Sequence, residues 1–198
     1  MKKLILSALL FWLAFSASAF TTSTENVLLK AAIEAEPTMT ENIANGEDGI
    51  MAAWFNSPST FIVWRSTTPV SDIANSINWA NLTPENPVTG AGQDAVNWLS
   101  ACQGKVLNLQ TLLGGGVSVA TGKANIRAGL QDATSNIPSG IGGATKGGGW
   151  ANIMASIQRP ATNAEKALAT GTGTALSPGN LTFEGRIQVN EVITIMGR

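Results

Sequence analysis

Side chains that could carry chemistry are scarce in this chain of 198 residues. It has no histidine, no tyrosine and one cysteine, Cys102. Histidine is the side chain that most often transfers protons near neutral pH, and histidine and cysteine are the usual zinc ligands. The composition therefore predicts a non-enzymatic protein with no metal site. Cys102 lies among apolar residues, which favours a small buried side chain over a nucleophile.

Two glycine-rich segments are only superficially similar to nucleotide-binding loops. Residues 140–149 include Thr145-Lys146-Gly147, whereas a phosphate loop has glycine before the lysine and serine or threonine after it. Residues 171–174, Gly-Thr-Gly-Thr, lack the third glycine of the dinucleotide pattern. We predict a flexible loop at 140–149, a turn at 171–174, and no cofactor.

The first 19 residues have the pattern of a secretory signal peptide. Two lysines precede an apolar run from Leu4 to Phe15, and Ser-Ala-Ser-Ala follows as a signal-peptidase site. The run is shorter than the roughly 20 residues that span a bilayer as a helix, so no stable membrane anchor is predicted. The alternative is that residues 1–19 are a mis-annotated leader and that translation starts near Val27 to Leu29.

The elements that must position any functional residue are mainly helical. We predict one compact domain over residues 20–198, with a short strand or extended segment near 61–67 and a small β element near 181–189. The strongest helix is predicted from Gly92 or Gln93 to Leu113, where the Gly-Gly-Gly at 114–116 ends it. Its apolar stripe, predicted to face the core, is Ala95, Trp98, Leu99, Cys102, Val106, Leu109 and Leu113.

Other helices are predicted from capping residues, prolines and apolar spacing. In the helix predicted over residues 47–55 we expect Ile50, Ala53 and Trp54 to face inward. Pro160 is predicted to separate or kink two helices. The predicted ranges are 23–36, 47–55, 71–77, 121–135, 150–159, 161–169 and 190–195.

Charge and aromatic content bear on the class of partner. Without the leader, ten basic residues face thirteen acidic ones, and no basic stripe is present, so nucleic-acid binding is not predicted. Six tryptophans are present. They are interpreted mainly as core residues, with a ligand- or partner-binding surface as the alternative.

Several strings resemble those of a group of small, mostly uncharacterised proteins of tailed bacteriophages. The resemblance extends over about residues 28–195 and carries no catalytic residues. The strings are Val63-Trp64-Arg65, Pro69-Val70-Ser71-Asp72-Ile73, Ile77-Asn78-Trp79, Leu107-Asn108-Leu109-Gln110, Ile126-Arg127-Ala128-Gly129-Leu130-Gln131-Asp132-Ala133, Ile137-Pro138-Ser139-Gly140, and the tail from Gly171-Thr172-Gly173-Thr174 through Phe183-Glu184-Gly185.

The resemblance implies a structural or morphogenesis subunit of the virion, assembled in the host cytoplasm near the head–tail junction. Its expected partners are other virion proteins or copies of itself, and a homo-oligomer is expected. Arg65, Arg127 and Lys146, the last in the glycine-rich loop, are the candidate partner contacts. The leader favours the alternative, an exported periplasmic or secreted binding protein with a tryptophan-containing surface.

Overall fold

A computed structural model describes residues 23–82, 92–138 and 145–198. Over these residues the fold is mainly helical, as predicted, with three short antiparallel pairs of strands. The predicted leader, positions 140–144 of the predicted loop and the Trp98 side chain lie outside the described part. None of the described helices is long and apolar enough to span a bilayer.

The described residues form ten α-helices and six short strands. In chain order, the α-helices are α1 (Ser23–Glu34), α2 (Thr40–Asn45), α3 (Asp48–Asn56), α4 (Val70–Ser76), α5 (Trp79–Leu82), α6 (Gly92–Leu113), α7 (Ala124–Thr134), α8 (Trp150–Ser156), α9 (Asn163–Leu168) and α10 (Val189–Met196). The strands are β1 (Pro58–Trp64), β2 (Thr68–Pro69), β3 (Ser118–Val119), β4 (Ile137–Pro138), β5 (Thr145–Lys146) and β6 (Gln158–Thr162).

The chain divides into two compact units. Unit 1 is Met1–Phe55 with Glu184–Arg198, and unit 2 is Asn56–Phe183. In unit 1, α10 packs against α1, and Lys30 Nζ donates to the carbonyl of Met196 at 3.3 Å. Arg198 pairs with Asp48 at 3.4 Å, so an ion pair links the end of the chain to the start of α3.

The predicted inward face of the helix over residues 47–55, which is α3 in the structure, is wrong. In α3 the buried residues are Met51, Ala52 and Phe55, whereas Ile50 is 47% exposed and Ala53 is exposed. Trp54 is half-buried and meets Phe55 edge-on at 5.2 Å between ring centroids. The apolar residues between 50 and 55 fit either of two inward faces of a helix, and packing within unit 1 buries the face that carries Met51, Ala52 and Phe55.

The core of unit 2 contains much of the predicted stripe of α6. Cys102 and Leu109 are both 1% exposed, and Leu99, Val106 and Leu113 pack at its edge. The buried members of this cluster are Ile73, Ile77, Leu82, Cys102, Leu109, Val119, Leu130, Ala133, Ile137, Ile153 and Ile157. The prediction that Cys102 is a small buried side chain is confirmed.

The helix predicted over 150–159 is confirmed for Trp150–Ser156, but its predicted end is wrong, because residues 158–162 form β6, which pairs with β1. Pro160, which has no N–H to donate, lies opposite Ile62. Ile62 turns its backbone groups the other way, donating to Gly173 O and accepting from Gly179 N, each at 2.8 Å. Pro160 therefore fits a strand here without an unmet hydrogen bond.

A buried ion pair fixes the turn from β6 into α9. Arg159 donates to both carboxylate oxygens of Glu165 at 2.7 Å, and the Thr162 N–H donates to the same carboxylate at 2.9 Å. The Thr162 hydroxyl accepts from the Glu165 N–H at 3.2 Å, which completes a capping box. Glu165 is 3% exposed, and its charge is neutralised by a bidentate partner.

The predicted β element at 181–189 is also wrong. Phe183 and Ile187 are buried, so the apolar pattern does report alternate burial. Residues 181–188 nevertheless form no strand, and α10 starts at Val189. The bridges in this part of the chain lie earlier, at Gly179 with Val63 and at Asn180 with Thr170.

Gly173 supplies a test of how the loop at 170–180 lies on β1. Its φ is +66°, and an added Cβ would lie 2.1 Å from the Phe61 ring. We expect Gly173→Ala to lower the free energy of unfolding by about 2–4 kcal/mol, from backbone strain and overpacking. Gly115→Ala is the control, because a Cβ there meets nothing within 4 Å. Urea unfolding followed by circular dichroism measures both, and equal midpoints would contradict this packing.

Candidate functional site

Arg127 lies at the centre of a polar cluster of unit 2. Its guanidinium carbon is 4.5 Å from the centroid of the Trp64 ring, a cation–π contact. Nη1 donates to Thr121 O at 3.0 Å and to Gly122 O at 2.7 Å. Nη2 donates to Asn180 Oδ1 at 3.2 Å. Three separate chain segments therefore hold one cation in a fixed orientation.

A chain of buried hydroxyls supports this arrangement. Thr68 and Thr121 are both fully buried, and their hydroxyl oxygens are 2.8 Å apart. The Thr121 hydroxyl donates to Arg65 O at 2.8 Å, so Thr68 must be the donor in the contact between the two threonines. The relay joins the segment after β1 to the segment after β3.

Gly122 allows these two segments to approach closely. Its N–H donates to Ser66 O at 3.0 Å, and an added Cβ would lie 3.0 Å from Ser66 Cα. A larger residue would push the segments apart and move the Gly122 carbonyl away from Arg127. The position of the Arg127 guanidinium thus depends on backbone packing as well as on its own hydrogen bonds.

The candidate contact residues have different environments. Arg65 pairs with Asp72 at 3.5 Å and donates from Nε to Gln158 O at 3.3 Å, so its charge already has a counter-ion. Arg127 makes no ion pair with any carboxylate of the described residues. Lys146 pairs through its backbone with Ile137 in the β4–β5 ladder, and its side chain lies outside the described part. The Arg65 carbonyl is part of the hydroxyl relay beside Arg127, whereas the Arg65 guanidinium pairs with Asp72.

Burial affects the electrostatics of Arg127. Partial removal of the guanidinium from water lowers the pKa of Arg127 from its ordinary value. The side chain stays cationic at neutral pH, because an arginine pKa starts far above 7. A partly desolvated cation without a carboxylate partner interacts more strongly with an incoming anion than a fully hydrated one does.

Two described glycines of the predicted loop at 140–149 are close-packed, whereas Gly147 is exposed and an added Cβ there would meet nothing within 4 Å. Gly148 donates to Thr134 O at 2.6 Å and is buried, and an added Cβ would lie 3.0 Å from that oxygen. Gly149 has a φ of +92° and precedes α8. Of the described residues in this predicted loop, Thr145 and Lys146 form β5, and residues 147–149 connect β5 to α8.

The four described tryptophans outside the leader do not share one environment. Trp64 and Trp150 are half-buried at the edge of the unit 2 core. Trp54 is half-buried in unit 1, and Trp79 is 50% exposed, with its ring N–H donating to Ala74 O at 2.9 Å. None of the four is fully buried.

The concave surfaces found at α7 are small. One, of about 280 Å³, is lined by Ala128, Gln131, Asp132, Ser135 and Asn136. The other, of about 260 Å³, is lined by Asn108, Thr111, Leu112, Gly129 and Asp132. Neither has a tryptophan or a second carboxylate. Across the described residues no group of three His, Cys, Asp or Glu side chains is placed to hold a metal ion.

The outer face of α6 is a second candidate surface. From residue 96 to residue 111 it is about 23 Å long at 1.5 Å per residue. Every exposed residue on it is uncharged, and Val96 and Leu107 are 55% and 62% exposed. Lys105 is half-buried and donates to Asp132 O at 2.6 Å. The exposed residues of this face are Val96, Asn97, Ser100, Ala101, Gln103, Gly104, Leu107, Asn108, Gln110 and Thr111.

Sequence reasoning named Arg127 but missed the groups that hold it. Trp64 and Asn180 are 63 and 53 positions away along the chain, and no local pattern links them to Arg127, whereas Thr121 lies six positions before it. The outer face of α6 had a readable signal, because a helix of 22 residues there contains only Asp94 and Lys105 as charged residues. Comparisons with protein-family models, curated proteins and solved structures found no match for this chain.

The hydroxyl relay predicts non-additive substitutions. Thr121→Val leaves the Thr68 hydroxyl and Arg65 O without partners, which we expect to cost about 2–3 kcal/mol of unfolding free energy. Thr68→Val leaves the bond to Arg65 O intact and should cost about 1 kcal/mol. The double variant should lose less unfolding free energy than the sum of the two single losses, by about 0.5 kcal/mol or more. The reason is that valine at position 68 leaves no buried hydroxyl without a partner. Urea unfolding of the four proteins measures the coupling, and strict additivity would rule out the relay.

Proposed function

We propose that this protein is a non-enzymatic structural or morphogenesis subunit of a tailed bacteriophage particle, placed at the head–tail junction. Its strings, such as Ile126–Ala133, resemble those of small phage proteins. A subunit of this kind acts by covering surface on its neighbours, so its function resides in its exposed faces rather than in a reacting group.

The observation that carries the proposal is the outer face of α6. An exposed helix normally places charged residues toward solvent, whereas the centres of protein interfaces are depleted in charge. This face has no charged residue among its exposed positions, and two of its largest side chains, Val96 and Leu107, project into solvent. Burial of this face against another virion protein or another copy of the chain accounts for its composition.

The second candidate is an exported periplasmic or secreted binding protein. Residues 1–19 favour it, because their pattern is that of a cleavable export signal. Half-exposed Trp79 offers an aromatic surface for a ligand. The two concavities at α7 do not add to it, because they contain no tryptophan.

One experiment separates the two candidates. Intact mass and N-terminal sequence are measured on the protein recovered from purified particles and, separately, from the periplasm of the native source. A defined number of copies in particles supports the structural subunit. A protein found in the periplasm with Phe20 as its first residue, and absent from particles, contradicts that proposal and supports the binding protein.

Leu107→Lys tests the role of the outer face of α6. We expect it to reduce incorporation into particles by about tenfold or more, because it places a charge in the centre of an apolar interface. The fold should be unaffected, since Leu107 is 62% exposed. Ala155→Lys, which adds the same charge at an exposed position of α8, is the matched control. Quantitative mass spectrometry of particles gives the copy number, and equal incorporation of both variants would contradict this role.

A further inference from the structure

The guanidinium of Arg127 retains unused hydrogen-bonding capacity. An arginine has five N–H donors in a planar fork. Two Nη1 donors and one Nη2 donor are taken by Thr121 O, Gly122 O and Asn180 Oδ1. The Nε–H and the second Nη2–H have no acceptor among the described residues. Two donors on a cation without a counter-ion match one carboxylate group.

The site is held in place before any ligand arrives. Trp64 covers one face of the guanidinium, and the three acceptors fix its plane. A preorganised side chain loses less conformational entropy on binding than a free arginine does. Partial burial also weakens the competition from water for an incoming anion.

The two units carry charges of opposite sign. Over residues 23–55 and 184–198, unit 1 has eight carboxylates and three basic side chains, a formal charge of −5. Unit 2, residues 56–183, has seven basic side chains and five carboxylates, a formal charge of +2. Unit 1 of one copy and unit 2 of another are therefore electrostatically complementary.

Two carboxylates of unit 1 are placed to meet such a cation. Glu41 and Glu47 are exposed, and neither side chain has a bond to another described residue. Glu41 lies in the first turn of α2, and Glu47 follows the glycine that caps this helix, where the Glu47 N–H donates to Asn42 O at 2.9 Å. By contrast, Glu34 pairs with Lys30 and Asp48 pairs with Arg198.

We propose that Arg127 is the docking site for the acidic turn of unit 1, Glu41 to Glu47, of a second copy of this chain. Such a contact either occurs twice in a two-fold dimer or repeats from copy to copy and builds a ring or an open filament. This inference rests on the proposed function, since it names the partner and the geometry of self-assembly.

Sedimentation velocity of the full chain over a concentration series tests the contact. We expect Arg127→Gln, and separately the double variant Glu41→Gln with Glu47→Gln, to weaken self-association by about tenfold or more. Lys166→Gln, which removes one exposed charge from unit 2, is the matched control and should leave association unchanged. Raising the salt from about 0.05 M to about 0.5 M should weaken the wild-type association and leave that of Arg127→Gln little altered.

Mixing the two defective proteins provides a sharper readout. The Arg127→Gln copy keeps its acidic turn, and the double Glu→Gln copy keeps its arginine. An equimolar mixture should therefore form dimers through one intact contact, at least about tenfold more tightly than either protein associates alone. This gain shows that the Arg127 surface and the acidic turn are the two halves of one contact, and the carboxylate variants test that contact without changing unit 2.

The outcomes separate this inference from the proposed function. Self-association that is insensitive to Arg127 and to both glutamates, or a protein that is monomeric at every concentration, overturns the inference. Mixtures that form no dimers also overturn it. The proposed function is judged on other grounds, namely the presence of the protein in particles and the effect of Leu107→Lys on its copy number.

Discussion

The end of β1 is the point on which the rest of unit 2 depends. The Trp64 ring contacts the guanidinium of Arg127. The backbone N–H of Trp64 donates to Gly179 O at 3.1 Å, and the backbone N–H of Arg65 donates to Ile157 O at 2.9 Å. Thr121, Ile157 and Gly179, each more than 50 positions further along the chain, are thus all hydrogen-bonded to the backbone of residues 64–65. Because buried backbone groups need partners, displacing any one of these segments would leave donors or acceptors of the others unmet.

Several polar and aromatic groups meet at this junction. They are carbonyls, an amide, two hydroxyls, an indole and a guanidinium. Such groups orient and recognise. Together with the uncharged outer face of α6, the oriented Arg127 cation gives unit 2 two chemically different surfaces for neighbours, one suited to apolar packing and one to a carboxylate.

The sequence was sufficient to predict elements with strong local signals, such as the α6 helix with its glycine stop and the α10 helix. It failed where a nonlocal partner decides the outcome. Pro160 reads as a helix break, yet it occupies a strand because Ile62 directs its hydrogen bonds elsewhere. Residues 181–188 alternate like a strand but have no ladder partner. Arg127 could be named as a contact residue, whereas its dependence on Trp64 and Asn180 required the fold.

The central claim is that the outer face of α6 and the Arg127 cluster are covered by neighbouring subunits. Hydrogen–deuterium exchange of the protein at low and high concentration tests it directly, because burial in an assembly slows amide exchange. If copies assemble through these surfaces, we expect slower exchange at high concentration in peptides spanning residues 40–48, 96–111 and 121–130, with other peptides unchanged. Exchange rates that are independent of concentration in all three peptides would contradict self-assembly through these surfaces.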